Sequence, residues 1–293
     1  MSQRGVLVGH MARVRGRLRQ LARAVDLVWE VVDARAPWST RNVQLAGEFG
    51  GRPRWLVLAK ADLADEARTA EWLRYFSARD VTAVAVAAAG PRPDVEPLLL
   101  RAREARGAGP RLRVLVAGIP NVGKSSLINR LAGRAKAATG ARPGITRGEQ
   151  WIRLDDFDLL DTPGILPPTV GRGERAAKLR ALDCLSEEQW PAEEAAVWLI
   201  AFFQRERPRT LEVHYGLEDE RGEPADVLAA IGRRRGALAA GGQVDIARAA
   251  EILLGDFRRG KLGAVTLETP GDAALPADGS DAAGARAKGA GAP

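Results

Sequence analysis

The chain has 293 residues, with 44 Lys and Arg against 37 Asp and Glu, a net charge of +7, and 46% hydrophobic residues. A single cysteine, Cys184, excludes a disulfide-stapled scaffold and suits a reducing compartment. No apolar run approaches the roughly 18 residues of a spanning helix, and the start "MSQRGVLVGH" lacks a signal-peptide core, so a soluble, cytoplasmic protein is expected.

In chain order, Met11, Val14, Leu18, Leu21 and Val25 recur at helical spacing with Arg13, Arg15, Arg17, Arg19 and Arg23 between them. This predicts an amphipathic helix with a basic outer face. "DLVWEVVDA" (26–34) reads as a strand of parallel-sheet type, ended by Asp33 and Pro37. Further strands are predicted at "RWLVLAK" (54–60), "VTAVAVAAAG" (81–90) and "LRVLVAG" (112–118), with helices over 64–78 and 94–106 between them. A helix "KSSLINRLAG" follows, then two short strands, "QWIRL" and "FDLLD". The alternation predicts an α/β fold of doubly wound, mainly parallel sheet. From Pro167 onward the pattern is helical only, over 174–185, 191–204, 224–232 and 245–258. The expected organisation is an α/β domain over 1–170, an all-helical domain over 171–268, and a disordered tail over 269–293 too poor in apolar residues to bury a core.

"GIPNVGKSS" fits the phosphate-loop spacing at Gly118, Gly123, Lys124 and Ser125, between a predicted strand and a predicted helix. Glycines let backbone N–H groups wrap a β-phosphate, and the helix N-terminus adds its dipole. The cradle comprises Asn121, Val122, Gly123, Lys124, Ser125 and Ser126, with Lys124 directed at the β- and γ-phosphates and Ser125 at Mg²⁺. "DTPG" at 161–164 closes a strand, which suits Asp161 to the Mg²⁺ surroundings and the Gly164 N–H to the γ-phosphate. "RPGITR" offers Thr146 to the same ion and phosphate. Three such segments in this order predict a P-loop NTPase.

Before the phosphate loop stand a strand ending in Asp33 and a turn Ala59-Lys60-Ala61-Asp62. In ordinary GTPases the corresponding strand and the Asn-Lys-x-Asp base reader come after it. The cyclic order is kept and the cut point has moved, which predicts a circular permutation. Asp62 keeps the carboxylate that accepts both guanine N–H groups, and the stem of Lys60 covers the base. Ala59 lacks the reader's Asn side chain, and Ala88, by the family resemblance given next, stands near where that family carries Ser, so a weakened grip on guanine is expected.

These residues resemble the circularly permuted GTPases of the ribosome biogenesis GTPase A (RbgA/YlqF) family. The likeness rests on "GHMAR", "VVDARAPWSTRN", "GIPNVGKSSLINRLAG", "TGARPGITRGEQW" and "DTPGIL", and on a helical stretch from "YGL" to "GDFRRGKLG". It implies a cytosolic bacterial GTPase that binds GTP and GDP with Mg²⁺ and acts late in maturation of the large (50S) ribosomal subunit. The implied partners are 23S rRNA, bound partly through the helical domain, and ribosomal proteins left unspecified, with no membrane and a monomeric protein. Hydrolysis is stimulated by the ribosomal particle.

Ile165 stands where many small GTPases carry a water-orienting Gln, and an aliphatic group cannot hydrogen-bond water. The resemblance points instead to His10; a packing or capping histidine is the plainer reading. Asn121 is read by resemblance as a K⁺ ligand beside the phosphates, or more simply as a turn residue. Arg233, Arg234, Arg235, Arg248, Arg258, Arg259 and Lys261 form a basic series suited to nucleic-acid phosphates, or a solvated helical face. A nucleotide-gated RNA-binding module with little hydrolysis is the alternative function.

Overall fold

Every residue of LVWEVVD (β1, Leu27–Asp33) is buried. A strand reaches that state only with neighbours on both edges and cover on both faces. The computed structural model, which describes residues 15–42, 47–139, 151–154, 156–162 and 173–274, supplies both. After a helix over residues 15–23 (α1) and β1 come β2 (Arg54–Ala59), α2 (Glu66–Ser77), β3 (Ala83–Ala85) and α3 (Glu96–Arg106). Next are β4 (Leu112–Ala117), α4 (Lys124–Thr139), β5 (Trp151–Arg153) and β6 (Phe157–Asp161). The sheet order is β3-β2-β1-β4-β6-β5, parallel except for β5 against β6.

Alternation along the strands divides the core. Trp29 and Val31 of β1, Val114 and Val116 of β4, and Leu159 of β6 turn to one face, under Leu98 and Leu99 of α3 and Leu127 and Leu131 of α4. Val28, Leu115 and Leu160 turn to the other, under Leu18 and Leu21 of α1. Val32, Leu56 and Leu58 meet Trp72 and Phe76 of α2 on that side. Of the two buried acids in β1, Glu30 lies mid-strand, 3% exposed; it accepts from the Asn42 backbone N–H (3.1 Å), and Arg54 lies 3.5 Å away. The order of strands reverses between β1 and β4, and in open α/β sheets the crevice at such a switch point is where ligands bind.

The third strand is shorter than its sequence suggests. After Ala85 the chain leaves the sheet, Ala87 bridges back to Asp94, and Gly90 takes φ 85°. The remaining chain is helical: α5 (Glu174–Ala181), α6 (Ala192–Glu206), α7 (Thr210–Tyr215), α8 (Pro224–Arg234) and α9 (Ile246–Arg258). Helix α5 stops four residues before its predicted end, because Asp183 adopts φ 66° and the Arg258 guanidinium donates to the carbonyls of Arg180 and Ala181. The six-residue α7 has too little periodicity to be read from sequence; the buried Glu220 carboxylate accepts from the N–H groups of Arg209 and Glu212 at its start.

The chain end returns from α9 to the sheet unit as a strap. Val265 N–H donates to the Leu63 carbonyl (3.1 Å) and Leu267 N–H to the Arg35 carbonyl (2.7 Å). The buried Glu268 carboxylate accepts from Trp38 N–H, from Ser39 N–H (3.0 Å) and from the Ser39 hydroxyl (2.6 Å), with Lys178 at 3.6 Å. Residues Pro270–Ala274, assigned by composition to the tail, form a 3₁₀ turn, and Ala273 packs against the α2 side of the core. Residues 275–293 lie outside the described part. Among the described residues no helix is long and apolar enough to cross a membrane.

Candidate nucleotide-binding site

Strand β4 runs into the turn 118–123 and then α4, the strand–loop–helix order the motif requires. Gly118 passes so close to β1 that a Cβ there would stand 2.4 Å from the Val31 carbonyl. At Gly123 φ is 112°, and a Cβ would meet that of Ala59 at 3.1 Å. The loop therefore threads between the ends of β1 and β2 because two of its residues lack side chains. Val122 is fully buried beneath it, while Ser125 and Ser126 are exposed at the first turn of α4.

Lys124 is 7% exposed and its ammonium donates to the Ile119 carbonyl (2.8 Å), inside the loop's curve. Burial pulls its proton affinity below that of an ordinary lysine, and the Asp161 carboxylate opposes the shift. Burial likewise pushes the Asp161 carboxyl up, against Lys124 and the Thr162 N–H. Asp161 pairs in register with Val116 at the end of β6, and the Thr162 hydroxyl donates to the Val116 carbonyl (2.8 Å). A buried cation beside a carboxylate, facing a helix N-terminus, is an arrangement for polyphosphate.

The base side is built from more distant parts. A cavity of ≈ 360 Å³ lies beside the loop, lined by Ala59, Lys60, Asp62, Ala88, Asn121, Gly123 and Ser126. That volume falls in the range of small-molecule sites. Lys60, at φ 60°, donates to the Asn121 carbonyl (2.6 Å), so its stem runs along the cavity wall. Asp62 is exposed at the start of the following turn, its carboxylate against Gly90, where a Cβ would come within 2.8 Å. The turn 59–62 and the phosphate loop thus share one cavity, and Ala88 is among its lining residues.

Six further residues line the cavity, none of them assigned to it from the sequence: Arg35, Leu63, Ala89, Leu182, Asp183 and Arg258. Arg35 is 1% exposed and grips Asp33 with Nε to Oδ1 and Nη2 to Oδ2, both 2.9 Å, while Lys60 Nζ lies 2.8 Å from Oδ2. Burial alone would push the Asp33 carboxyl up; the charges and hydrogen bonds of Arg35 and Lys60 outweigh it and hold the group at about 2. The spacing Asp-x-Arg in "VVDAR" was a legible signal for this pair. Leu182, Asp183 and Arg258 come from the helical unit, and nothing local to them indicates a nucleotide. Cys184 next to them is buried and its thiol is pushed up to about 12, chiefly by that burial, so it is an inert packing group.

His10, Thr146, Gly164 and Ile165 lie outside the described residues. Of the basic series, Arg233, Arg234, Arg235 and Arg248 are exposed. Arg258 turns inward to Asp183 (3.4 Å) and Glu251 (3.6 Å), and Arg259 and Lys261 both bind the Asp256 carboxylate at 2.9 Å. Arg259 and Lys261 stay exposed beside that carboxylate, so of the series only Arg258 is withdrawn from the surface.

A family model described as 50S ribosome-binding GTPase matches residues 113–216. Ribosome biogenesis GTPase A of Bacillus cereus is 36% identical over 273 residues, covering 89% of this chain and 92% of that protein. The chain belongs to the ribosome biogenesis GTPase A family. The Thermotoga maritima protein of the same name is 34% identical over 90% of this chain and 94% of its own length. The GNP-bound crystal structure of YlqF from T. maritima matches at a TM-score of 0.66 with 30% identity, covering 88% of this chain and 98% of that one. A GDP-bound YlqF structure matches at 0.65 with 29% identity. The fold is therefore the circularly permuted P-loop GTPase of this family, and the chain is a GTPase that binds GTP and GDP.

Proposed function

We propose that this GTPase acts in late maturation of the bacterial large ribosomal subunit, in the cytoplasm and as a monomer, binding 23S rRNA in a nucleotide-dependent way. The observation that carries it is a helical unit presenting exposed Arg233, Arg234, Arg235 and Arg248 while lending Leu182, Asp183 and Arg258 to the nucleotide cavity. Relatives named ribosome biogenesis GTPase A, similar over nine-tenths of the chain, support the ribosomal partner.

In this reading Asp62 and Lys60 select guanine, with Ala88 beside them, and backbone groups from Asn121 to Ser126 wrap the β-phosphate. Lys124 and the Gly164 N–H stabilise charge on the transferring phosphoryl group. Ser125, Thr146 and Asp161 serve Mg²⁺; Ser125 and Asp161 are hard oxygen donors at adjacent strand and helix ends, which suits an ion that shares its shell with phosphate and water. Bound Mg²⁺ would neutralise charge on the phosphates. Asn121 serves K⁺, and His10 orients the attacking water.

Phosphate release with and without large-subunit particles, in K⁺ and in Na⁺, tests the reading. The expected result is a rate raised at least about tenfold by particles, equivalent to roughly 1.4 kcal/mol of barrier, and lower in Na⁺. Equal rates with and without particles would overturn the ribosomal role, and equal rates in the two salts would remove K⁺.

A further inference from the structure

Five non-glycine residues in the described chain have left-handed backbone: Lys60, Asp80, Asn121, Asp183 and Arg209. Three of them stand in one hydrogen-bonded series. Lys60 Nζ donates to the Asn121 carbonyl (2.6 Å), and Asn121 Nδ2 donates to the Asp183 carbonyl (2.7 Å) and to its Oδ2 (3.1 Å). Left-handed φ is uncommon for residues with side chains, and its concentration at one site marks backbone held by its surroundings.

Both ends of the series are anchored. Lys60 lies 2.8 Å from the buried Asp33 carboxylate, which Arg35 holds from the other side. Arg258 Nη1 lies 3.4 Å from Asp183 Oδ1, while its Nε and Nη2 donate to the Ala181 (3.0 Å) and Arg180 (2.8 Å) carbonyls. Polar contacts therefore run from the end of β1, through the base-reading turn and the phosphate loop, to α5 and α9. The two groups facing Asn121 Nδ2 are both acceptors, so the amide has one orientation, with Oδ1 turned away from Asp183.

We propose that Asp183 is a positioning residue of the GTPase site, setting the Asn121 turn of the phosphate loop from within the helical unit. A nucleotide that shifts Asn121 must then shift or break its contact with Asp183, and the placement of α5 and α9 feeds back on nucleotide affinity to the same extent. The proposal rests on GTP binding and hydrolysis alone and does not depend on the ribosomal partner.

Asp183→Gly in the full chain is the decisive variant. Glycine accepts φ 66° without steric cost, so the substitution removes the carboxylate and keeps the turn. GDP and a non-hydrolysable GTP analogue are the probes; the readouts are affinity, amide exchange over residues 174–206, and the thermal midpoint. The expected result is affinity lowered about two- to tenfold, as loss of the one bond from Asn121 Nδ2 to the carboxylate implies, the bond to the Asp183 carbonyl being kept. The nucleotide-dependent slowing of exchange in the wild type should vanish, with the midpoint unchanged. Asp183→Asn, which keeps an acceptor, should fall between, and it carries the same readouts if the glycine variant fails to fold. Wild-type affinity together with an intact exchange response in the glycine variant would overturn the proposal. So would a lowered midpoint as its sole effect, or a wild-type exchange pattern indifferent to nucleotide.

Discussion

The two halves of the nucleotide site are built in opposite ways. The phosphate half is one continuous stretch, β4, the turn 118–123 and the start of α4, completed by Asp161 from the adjoining strand. The base half draws on the turns after β1, β2 and β3, on the phosphate loop, and on two segments of the helical unit. Their charges differ as well. Lys124 is a buried cation that the proposed function assigns to phosphate, its proton affinity lowered by burial, whereas Asp33 is a buried anion neutralised within the protein by Arg35 and Lys60. A buried charge with its partner supplied stabilises the fold; one whose natural partner is the substrate is carried at a cost. The site thus keeps its structural charge on the base side and its chemical charge on the phosphate side.

The largest effect that would break this contrast comes from Asp33. Asp33→Ala leaves the Arg35 guanidinium buried without its carboxylate and should lower unfolding free energy by about 3–5 kcal/mol, read by urea denaturation. The same pair predicts the acid response. A carboxyl held at about 2 when folded stabilises the protein above its unfolded value near 4, and that contribution, roughly 2 kcal/mol, is lost as pH falls from about 4 towards 2. Asp33→Asn should lack that part of the acid response. If both proteins lose stability in parallel across the window, the assignment of structural charge is wrong.

Lys124→Met tests the other half. Hydrolysis should fall at least about a hundredfold, near 3 kcal/mol of barrier, while the unfolding midpoint stays level or rises because a desolvated ammonium is gone. A marked drop in stability would show Lys124 to be structural, like Asp33. The smallest expected effect is at Ala59. Ala59→Asn restores the side chain of an ordinary base reader and should tighten GDP binding several-fold, about 1 kcal/mol. Ala59 already packs against the phosphate loop at Gly123, so weaker binding by titration would mean that the loop has closed into the missing side chain's space.

How much was legible follows the same division. Gly118, Gly123, Lys124 and Ser125 were readable because backbone curvature, helix start and charge all lie within eight residues. The permutation was readable because motif order is a property of the chain. Arg35 was within reach, two residues from Asp33, yet a surface arginine and a buried clamp look alike in sequence. Asp183 and Arg258 were beyond reach. Arg258 was read with Arg259 and Lys261 as facing a polyanion or solvent; Arg259 and Lys261 are exposed, whereas Arg258 turns inward to Asp183 and Glu251.

The sequence by itself determined the alternation of strands and helices, the permuted order of the motifs, the P-loop spacing and the helical appendage. Each follows from residue spacing that backbone geometry can satisfy in only one way. Tertiary structure alone decided that the helical unit walls the base cavity through Leu182, Asp183 and Arg258, and that residues 264–268 strap it to the turns after Asp33 and Asp62. The reason is physical. A hydrogen bond between Asn121 and Asp183 depends on two left-handed turns meeting across 62 positions of chain, and neither turn contains any trace of the other.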